Sequence, residues 1–122
     1  MTQNETLLLG IDIGTTGTKC AIYDLKGELV AHAYQEYSMI HPQPSWTEQD
    51  PHRWWNAVQT NLRNCFEQQG IDSSRIASIG LSCTNAMTLV DEAGEPVYNA
   101  IGHHDKRADP QVCLLYTSDA AD

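Results

Sequence analysis

A short segment near the N-terminus combines one carboxylate, two glycines, three hydroxyls and a lysine within eight residues. Glycines allow the backbone to turn tightly and to point amides at an anion without interference from a Cβ atom. Threonine hydroxyls and a lysine add donors and positive charge for phosphate oxygens. The spacing therefore predicts a phosphate-binding turn, whose candidate residues are Gly14, Thr15, Thr16, Gly17 and Lys19.

Asp12, just before this turn, is the candidate metal ligand. Mg²⁺ is usually held by few protein carboxylates together with phosphate oxygens, and a carboxylate inside an apolar strand costs free energy unless it has a function. The segment matches neither the G-x-x-x-x-G-K-[ST] loop nor the G-x-G-x-x-G turn, so it predicts a different phosphate site between two strands. The alternative interpretation is a plain hairpin with a Gly-Thr turn and an incidental buried aspartate.

The stretches around this segment predict a β-rich N-terminal region. The first strand is predicted at residues 7–13 and ends at Gly14. The second is predicted at residues 18–25 and the third at residues 28–37. Because both connections are short turns, we expect an antiparallel meander. Residues 38–49 contain two prolines and show no periodicity, so we expect a loop there.

One amphipathic helix follows the loop. Asp50 caps its first amides, Pro51 occupies its first turn and Gly70 ends it. Apolar residues recur at helical spacing on one side, which is therefore interpreted as a packing face and not as a ligand-binding surface. That side comprises Trp54, Trp55, Val58, Leu62, Cys65 and Phe66, and the other side comprises Gln59, Asn61, Arg63 and Glu67.

Shorter elements are predicted after the helix. Residues 76–82 predict a fourth strand, residues 87–90 a fifth, residues 91–95 a turn and residues 96–101 an extended return. Together with the meander and the helix, they indicate an α/β fold in which a helix packs on a mixed sheet.

The composition limits the class of protein. The chain has 122 residues, enough for one modest domain, and a net charge of -9, so its surface repels nucleic acid and anionic lipid. The apolar run at 7–13 contains Asp12 and is too short to span a bilayer. Four cysteines without a C-x-x-C pair, and a start that lacks the basic residues of a signal peptide, predict a reduced cytoplasmic protein.

Three motifs follow one another in the chain. They are Asp-x-Gly-Thr-Thr-x-x-Lys at Asp12 to Lys19, W-x-E-Q-D-P-x-x-W-W at Trp46 to Trp55, and Gly80-Leu81-Ser82 followed by Asp91-Glu92-Ala93-Gly94, Pro96 and Ala100-Ile101. In this order they resemble the FGGY carbohydrate kinases, a family of the actin-like (ribonuclease H-like) ATPase fold. The resemblance covers about residues 7–112, and we interpret residues 1–112 as an incomplete N-terminal domain, half of an actin-like fold.

The resemblance implies transfer of the γ-phosphoryl group of ATP, with Mg²⁺, to a hydroxyl of a small sugar or polyol. Asp12 would organise the metal, and the turn that follows would face the phosphate. The general base and the adenosine-binding domain of the family lie beyond residue 122, so the fragment alone is expected to be inactive. The tryptophan-rich motif favours a xylulose-like ketose, and we expect that the full-length parent can form a homodimer.

The resemblance also implies substrate contacts from two later segments. Thr84 and Asn85 stand closest to the polar pair that follows G-[IL]-S in the family, although the match is one residue short. The family's W-x-D-x-R pattern corresponds to residues 103–107 and assigns His103 and Asp105 to the substrate, with a histidine where the family has tryptophan. The adjacent histidines could alternatively indicate a metal site, but no fourth ligand stands at a recognisable spacing.

Two further alternatives concern the whole chain. Residues 113–122 leave the family pattern and resemble translated adaptor sequence, so we predict a non-native tail, the alternative being a divergent helix start. The competing function is a non-catalytic sugar- or phosphate-binding module on an actin-like half-domain. A bare sheet face argues against such a module, because it would be an aggregation hazard.

Overall fold

The computed structural model describes residues 5–119, which divide into two compact units. The first unit contains residues 5–38 and 51–84, and the second contains residues 39–50 and 85–119. In chain order, the elements are strands Leu7–Ile13 (β1), Gly17–Asp24 (β2), Leu29–Glu36 (β3) and Glu48–Gln49 (β4), helix Pro51–Gln69 (α1), a 3-10 turn at Ser73–Arg75, strands Ile76–Cys83 (β5), Ala86–Met87 (β6) and Ala100–Gly102 (β7), and helix Asp109–Asp119 (α2).

The first unit contains a four-stranded mixed sheet in the order β3-β2-β1-β5. Its first three strands are antiparallel neighbours, and β5 runs parallel to β1, which confirms the predicted meander and the mixed sheet. The register places Asp12 opposite Lys19 on β2 and opposite Ser82 on β5. The candidate metal ligand therefore has a polar neighbour on each adjacent strand.

Helix α1 covers β2 and β3 on one face of this sheet. It begins at Pro51, and Gly70 follows its last residue with a φ of 57°, a left-handed conformation that favours glycine. Both predicted ends of the helix are thus confirmed. The core beneath it is formed by Leu7, Leu9, Cys20, Ile22, Val30, Ala31, Cys65 and Ile71.

The predicted faces of α1 are wrong at two residues. Trp55 is 62% exposed, whereas Asn61 is completely buried. Ala57, Asn61 and Cys65 follow one another at four-residue spacing and therefore share the packing face. Asn61 is tolerated there because its Nδ2 donates to the Thr18 carbonyl oxygen at 2.7 Å, so a buried amide gains a partner.

The second unit contains a small sheet in the order β4-β7-β6. The predicted loop over 38–49 is wrong at its end, because Glu48 and Gln49 pair with Ile101 and Ala100. The predicted fifth strand is shorter than expected and covers only Ala86–Met87. The turn over 91–95 is confirmed.

In that turn, the Asp91 amide donates to the Glu95 carbonyl oxygen at 2.9 Å. The Asp91 side chain accepts from the amides of Ala93 and Glu95, each also at 2.9 Å.

Helix α2 crosses the predicted boundary at residue 113, and Leu114 and Leu115 on it are exposed. Residues 120–122 of the predicted non-native tail lie outside the described residues. In the part of the chain that the structure describes, no helix is both long and apolar enough to cross a membrane.

Candidate functional site

The turn between β1 and β2 has the tight geometry predicted for a phosphate site. The Gly14 amide donates to the Gly17 carbonyl oxygen at 2.9 Å, which closes the turn over Thr15 and Thr16. A Cβ atom at Gly14 would lie 3.0 Å from the Gly17 carbonyl oxygen, and one at Gly17 would overlap the Tyr34 ring. Both positions therefore favour glycine because neighbouring groups approach closely, not because of a left-handed conformation.

Asp12 lies on the sheet face opposite α1. Strand residues alternate between faces, and Leu7 and Leu9 face the core while Leu8 and Asp12 are exposed. Asp12 is therefore not buried, so the interpretation of an incidental buried aspartate is wrong, and so is the argument that the cost of its burial requires a function. Asp12, Lys19 and Ser82 help to line an open depression of about 440 Å³ on this face.

Thr84 joins this group from the end of β5. Its amide donates to the Ile13 carbonyl oxygen at 2.7 Å, and its Oγ1 lies 3.3 Å from Oγ1 of Thr15. Residues of the predicted phosphate group and one residue of the predicted sugar group thus share one edge of the sheet. The neighbourhood is polar, with hydroxyls, glycine backbone, one carboxylate and one lysine.

The second unit brings together two other predicted substrate residues. The His103 amide donates to the Asn85 carbonyl oxygen at 3.0 Å, and Nδ1 of the same histidine lies 3.2 Å from that oxygen. Both side chains are exposed, and the His103 and His104 rings are 3.8 Å apart between centroids. In residues 5–119, no three His, Cys, Asp or Glu side chains form a group that could hold a metal ion.

Asp105 has both of its carboxylate oxygens engaged within the second unit. Oδ2 accepts from the Thr47 amide at 2.6 Å and from Nη2 of Arg107 at 2.8 Å. Oδ1 accepts from the Arg107 amide at 2.9 Å and from its Nε at 2.8 Å. The carboxylate therefore fixes the segment that carries His103 and His104.

Arg107 extends this arrangement to a second buried carboxylate. Its Nη2 lies 2.8 Å from Oε1 of Glu48, and its guanidinium lies over the Trp46 ring, 3.8 Å from the ring centroid. Glu48 is 1% exposed and also accepts from the Tyr98 hydroxyl and the Asn99 amide. We call these groups the Glu48–Asp105–Arg107 cluster.

The hydrogen bonds of this cluster keep both carboxylates charged. Those from Arg107 hold the pKa of Asp105 well below its usual range, although burial opposes this effect. Burial raises the pKa of Glu48, but hydrogen bonds from Asn99, Arg107 and Tyr98 outweigh it, so the net pKa is lowered. The Asp105 carboxylate correspondingly raises the pKa of Arg107.

Sequence reasoning missed several residues that support these sites. Glu48 lies in the W-x-E-Q-D-P-x-x-W-W motif, which indicated a family but no role for this residue. Its partner Arg107 lies 59 residues away, and the sequence does not indicate that they pair. Tyr34 and Tyr37 were part of a predicted strand without a function, although their hydroxyls reach the Gly14–Gly17 turn. The close approach of Tyr34 explains one glycine of the turn, but periodicity could not identify it.

Comparisons with known proteins agree with this architecture. The model of the "FGGY family of carbohydrate kinases, N-terminal domain" matches residues 7–120. A glycerol kinase of Roseiflexus sp. (strain RS-1) is 40% identical over 111 residues, covering 89% of this chain. The chain spans only 22% of that curated relative's length.

Two solved structures are also similar. The xylulose kinase of Rhodospirillum rubrum has a TM-score of 0.84 at 27% identity, covering 92% of this chain and 23% of its own. The gluconate kinase of Lactobacillus acidophilus has a TM-score of 0.83 at 29% identity, covering 93% of this chain and 23% of its own.

The mixed sheet, its packed helix and these neighbours define a partial actin-like ATPase fold. The match over residues 7–120 then gives the family within that fold. The chain belongs to the FGGY family of carbohydrate kinases and corresponds to its N-terminal domain.

Proposed function

We propose that the protein carrying this chain transfers the γ-phosphoryl group of ATP to a hydroxyl of a small sugar or polyol. The observation that carries the proposal is the Gly14–Gly17 turn, which lies between two strands beside Asp12, Lys19 and Thr84. Phosphoryl transfer depends mainly on positioning and charge neutralisation, and this group offers donors, one cation and one candidate metal ligand.

The proposed phosphate contacts are the backbone and hydroxyls of the turn together with Lys19. Asp12 and Lys19 are a cross-strand pair, so their side chains start from neighbouring positions on one face. A single carboxylate suits Mg²⁺, which retains waters and takes phosphate oxygens as further ligands. When bound, the ion would neutralise charge on the phosphate, and Asp12 would hold it.

The proposed substrate residues are Thr84, Asn85, His103 and Asp105. Asn85 and His103 present exposed polar side chains, whereas Asp105 contributes through the segment that its hydrogen bonds fix. A histidine offers a donor and an acceptor to a hydroxyl-rich ligand, where tryptophan would offer an apolar surface.

Two substrate classes have support of different kinds. The tryptophan-rich motif and the similarity to a xylulose kinase structure support a xylulose-like ketose, which is the substrate we propose. The name of the Roseiflexus relative supports glycerol, a polyol.

We further propose that the general base lies outside residues 1–122, so the 122-residue chain alone does not turn over. The full-length parent is proposed to be cytoplasmic and to form a homodimer.

The test uses the full-length protein and a panel containing xylulose, gluconate and glycerol, with ADP release as the measurement. We expect Mg²⁺-dependent turnover with one of these substrates. Asp12→Ala should lower kcat by at least about 100-fold, because metal and phosphate positioning fail together. Glu67→Ala, an exposed acid on α1, is the matched control and should leave kcat unchanged.

Two outcomes would contradict the proposal. Normal turnover in the Asp12→Ala variant would remove Asp12 from the mechanism. Binding of sugar or phosphate by the full-length protein without any turnover would instead identify the non-catalytic binding module.

A further inference from the structure

Two tyrosines of the β3 region hold the carbonyl groups of the Gly14–Gly17 turn. The Tyr37 hydroxyl donates to the Gly14 carbonyl oxygen at 2.6 Å. The Thr16 carbonyl oxygen accepts from the Tyr37 amide at 3.1 Å and from the Tyr34 hydroxyl at 3.3 Å. Strand pairing places Tyr34 on the sheet face of Lys19, whereas Tyr37 bonds the buried Thr18 on the α1 face, so the two hydroxyls approach the turn from opposite faces.

The directions of these carbonyls determine the directions of two amides. A trans peptide places its C=O and N–H groups on opposite sides, and every described peptide bond in residues 5–119 is trans. The peptide that contains the Gly14 carbonyl also contains the Thr15 amide, and the peptide of the Thr16 carbonyl contains the Gly17 amide. The Thr15 amide is consequently turned away from the Tyr37 hydroxyl, toward the face that carries Asp12 and Lys19, and the Gly17 amide is turned away from the Tyr37 amide. Backbone N–H groups of a turn that are not used within the chain can bind an anion.

The Tyr37 hydroxyl is itself held in the direction that this geometry needs. Its oxygen accepts from Oγ1 of Thr18 at 3.3 Å, so its own proton is directed to the Gly14 carbonyl oxygen. Burial raises the pKa of Tyr37 and outweighs the opposing effect of the Thr18 hydrogen bond. The phenol therefore stays protonated and can donate a hydrogen bond. Thr18 is completely buried and Tyr37 is partly buried, so the hydrogen bond between them is only partly accessible to water.

We propose that Tyr37 is a positioning residue that orients the Thr15 and Gly17 amides toward the transferred phosphate of ATP, with Tyr34 in a supporting position. The proposal rests on the proposed kinase function and extends it to residues outside the phosphate motif. The glycine at position 17 also gives space to the Tyr34 ring, because a Cβ atom there would overlap it.

The test compares Tyr37→Phe in the full-length protein with the unmodified protein and with Tyr23→Phe, a partly exposed tyrosine at the end of β2 away from the turn, as the control. Hydrogen–deuterium exchange of the peptide covering residues 10–20 is measured without ATP. Steady-state kinetics then give kcat/KM for ATP and KM for the sugar. Tyr37→Phe keeps the ring and removes the two hydrogen bonds of the hydroxyl, to the Gly14 carbonyl and from Thr18. We expect faster exchange in this peptide, an approximately fivefold lower kcat/KM for ATP and an unchanged KM for the sugar.

A second variant, Thr18→Val, removes only the hydroxyl that orients Tyr37 and should change both readouts in the same direction by a smaller factor. Unchanged exchange in Tyr37→Phe would overturn the proposal, as would faster exchange with unchanged kinetics for ATP. Absence of any turnover in the unmodified protein would instead overturn the proposed function, and the exchange experiment would still decide whether Tyr37 orients the turn.

Discussion

The Gly14–Gly17 turn and the Glu48–Asp105–Arg107 cluster are held in opposite ways. Neutral hydroxyls and amides hold the turn by binding its carbonyl groups. The cluster is held by ion pairs in which both oxygens of each carboxylate accept hydrogen bonds. A region proposed to bind an anion keeps its N–H donors available for that ligand. A region that only maintains its conformation can pair its charged side chains with one another.

This difference suggests different roles for the two regions. In the proposed function, the turn, with Lys19 and Asp12 beside it, supplies donors and charge to a phosphate. The cluster supplies position, since its charged groups already have partners within the chain. Substitutions in the cluster should therefore change stability first, and substitutions in the turn should change phosphate chemistry first.

The largest stability effect is expected for Glu48→Ala. The substitution removes the buried acceptor shared by Arg107, Tyr98 and Asn99, and Arg107 keeps only its pairing with Asp105. We therefore expect a loss of about 3 kcal/mol in the free energy of unfolding. Glu48→Gln should cost less because an amide can retain part of the hydrogen bonding, and Glu28→Ala, at an exposed position, is the control. Urea unfolding monitored by tryptophan fluorescence gives these values, and a loss below that of Glu28→Ala would contradict the structural role of the cluster.

Gly17→Ala should produce the next largest effect, in the turn. The added Cβ overlaps the end of the half-exposed Tyr34 ring, which must move aside and lose its hydrogen bond to the Thr16 carbonyl, so we expect a loss of about 1 kcal/mol. Gly80→Ala is a matched control, because its Cβ would lie 4.0 Å from the Leu9 carbonyl oxygen, an ordinary contact. A double variant with Tyr34→Ala should recover part of the loss in the same urea experiment. If it recovers nothing, the Tyr34 ring is not the cause.

Acid should weaken the cluster more than the turn. The folded pKa of Glu48 and of Asp105 is lowered, so their contribution to stability is complete above the ordinary carboxyl pKa of about 4 and is lost as the pH falls through the lowered values. Unfolding free energies from pH 6 down to the acid limit of the urea assay should fall less steeply in Glu48→Gln. An identical pH dependence in both proteins would exclude Glu48 as a source.

The smallest effect is expected for Ser45→Gly. Ser45 has a φ of 68°, the left-handed region that a non-glycine residue adopts only at a cost. Relief of that cost exceeds the added entropy of glycine in the unfolded chain, so we expect a gain of about 0.5 kcal/mol. Gln43→Gly in the same loop lacks this benefit and should destabilise, which thermal unfolding can compare directly.

Much of the fold was predictable because its signals are local. Strand β1, both ends of α1 and the turn at 91–95 follow from alternation, capping residues and turn residues that are close in the chain. The short strand Glu48–Gln49 was not predictable, since two residues carry no period and their pairing with Ala100–Ile101 is distant in sequence. The positions of Trp55 and Asn61 were mispredicted because residue polarity was used in place of packing geometry.

The candidate site was likewise predictable only in part. Asp12, the Gly14–Gly17 turn and Lys19 were predicted as a phosphate site from their order alone, because such a turn is made from consecutive residues, and the structure places them side by side. The tertiary structure alone decided that Tyr37 reaches the Gly14 carbonyl, that Asn61 bonds the Thr18 carbonyl, and that Glu48 meets Arg107. Such contacts join residues 23 to 59 positions apart, and their formation depends on how strands pair and how a helix packs, which no local pattern of residues contains.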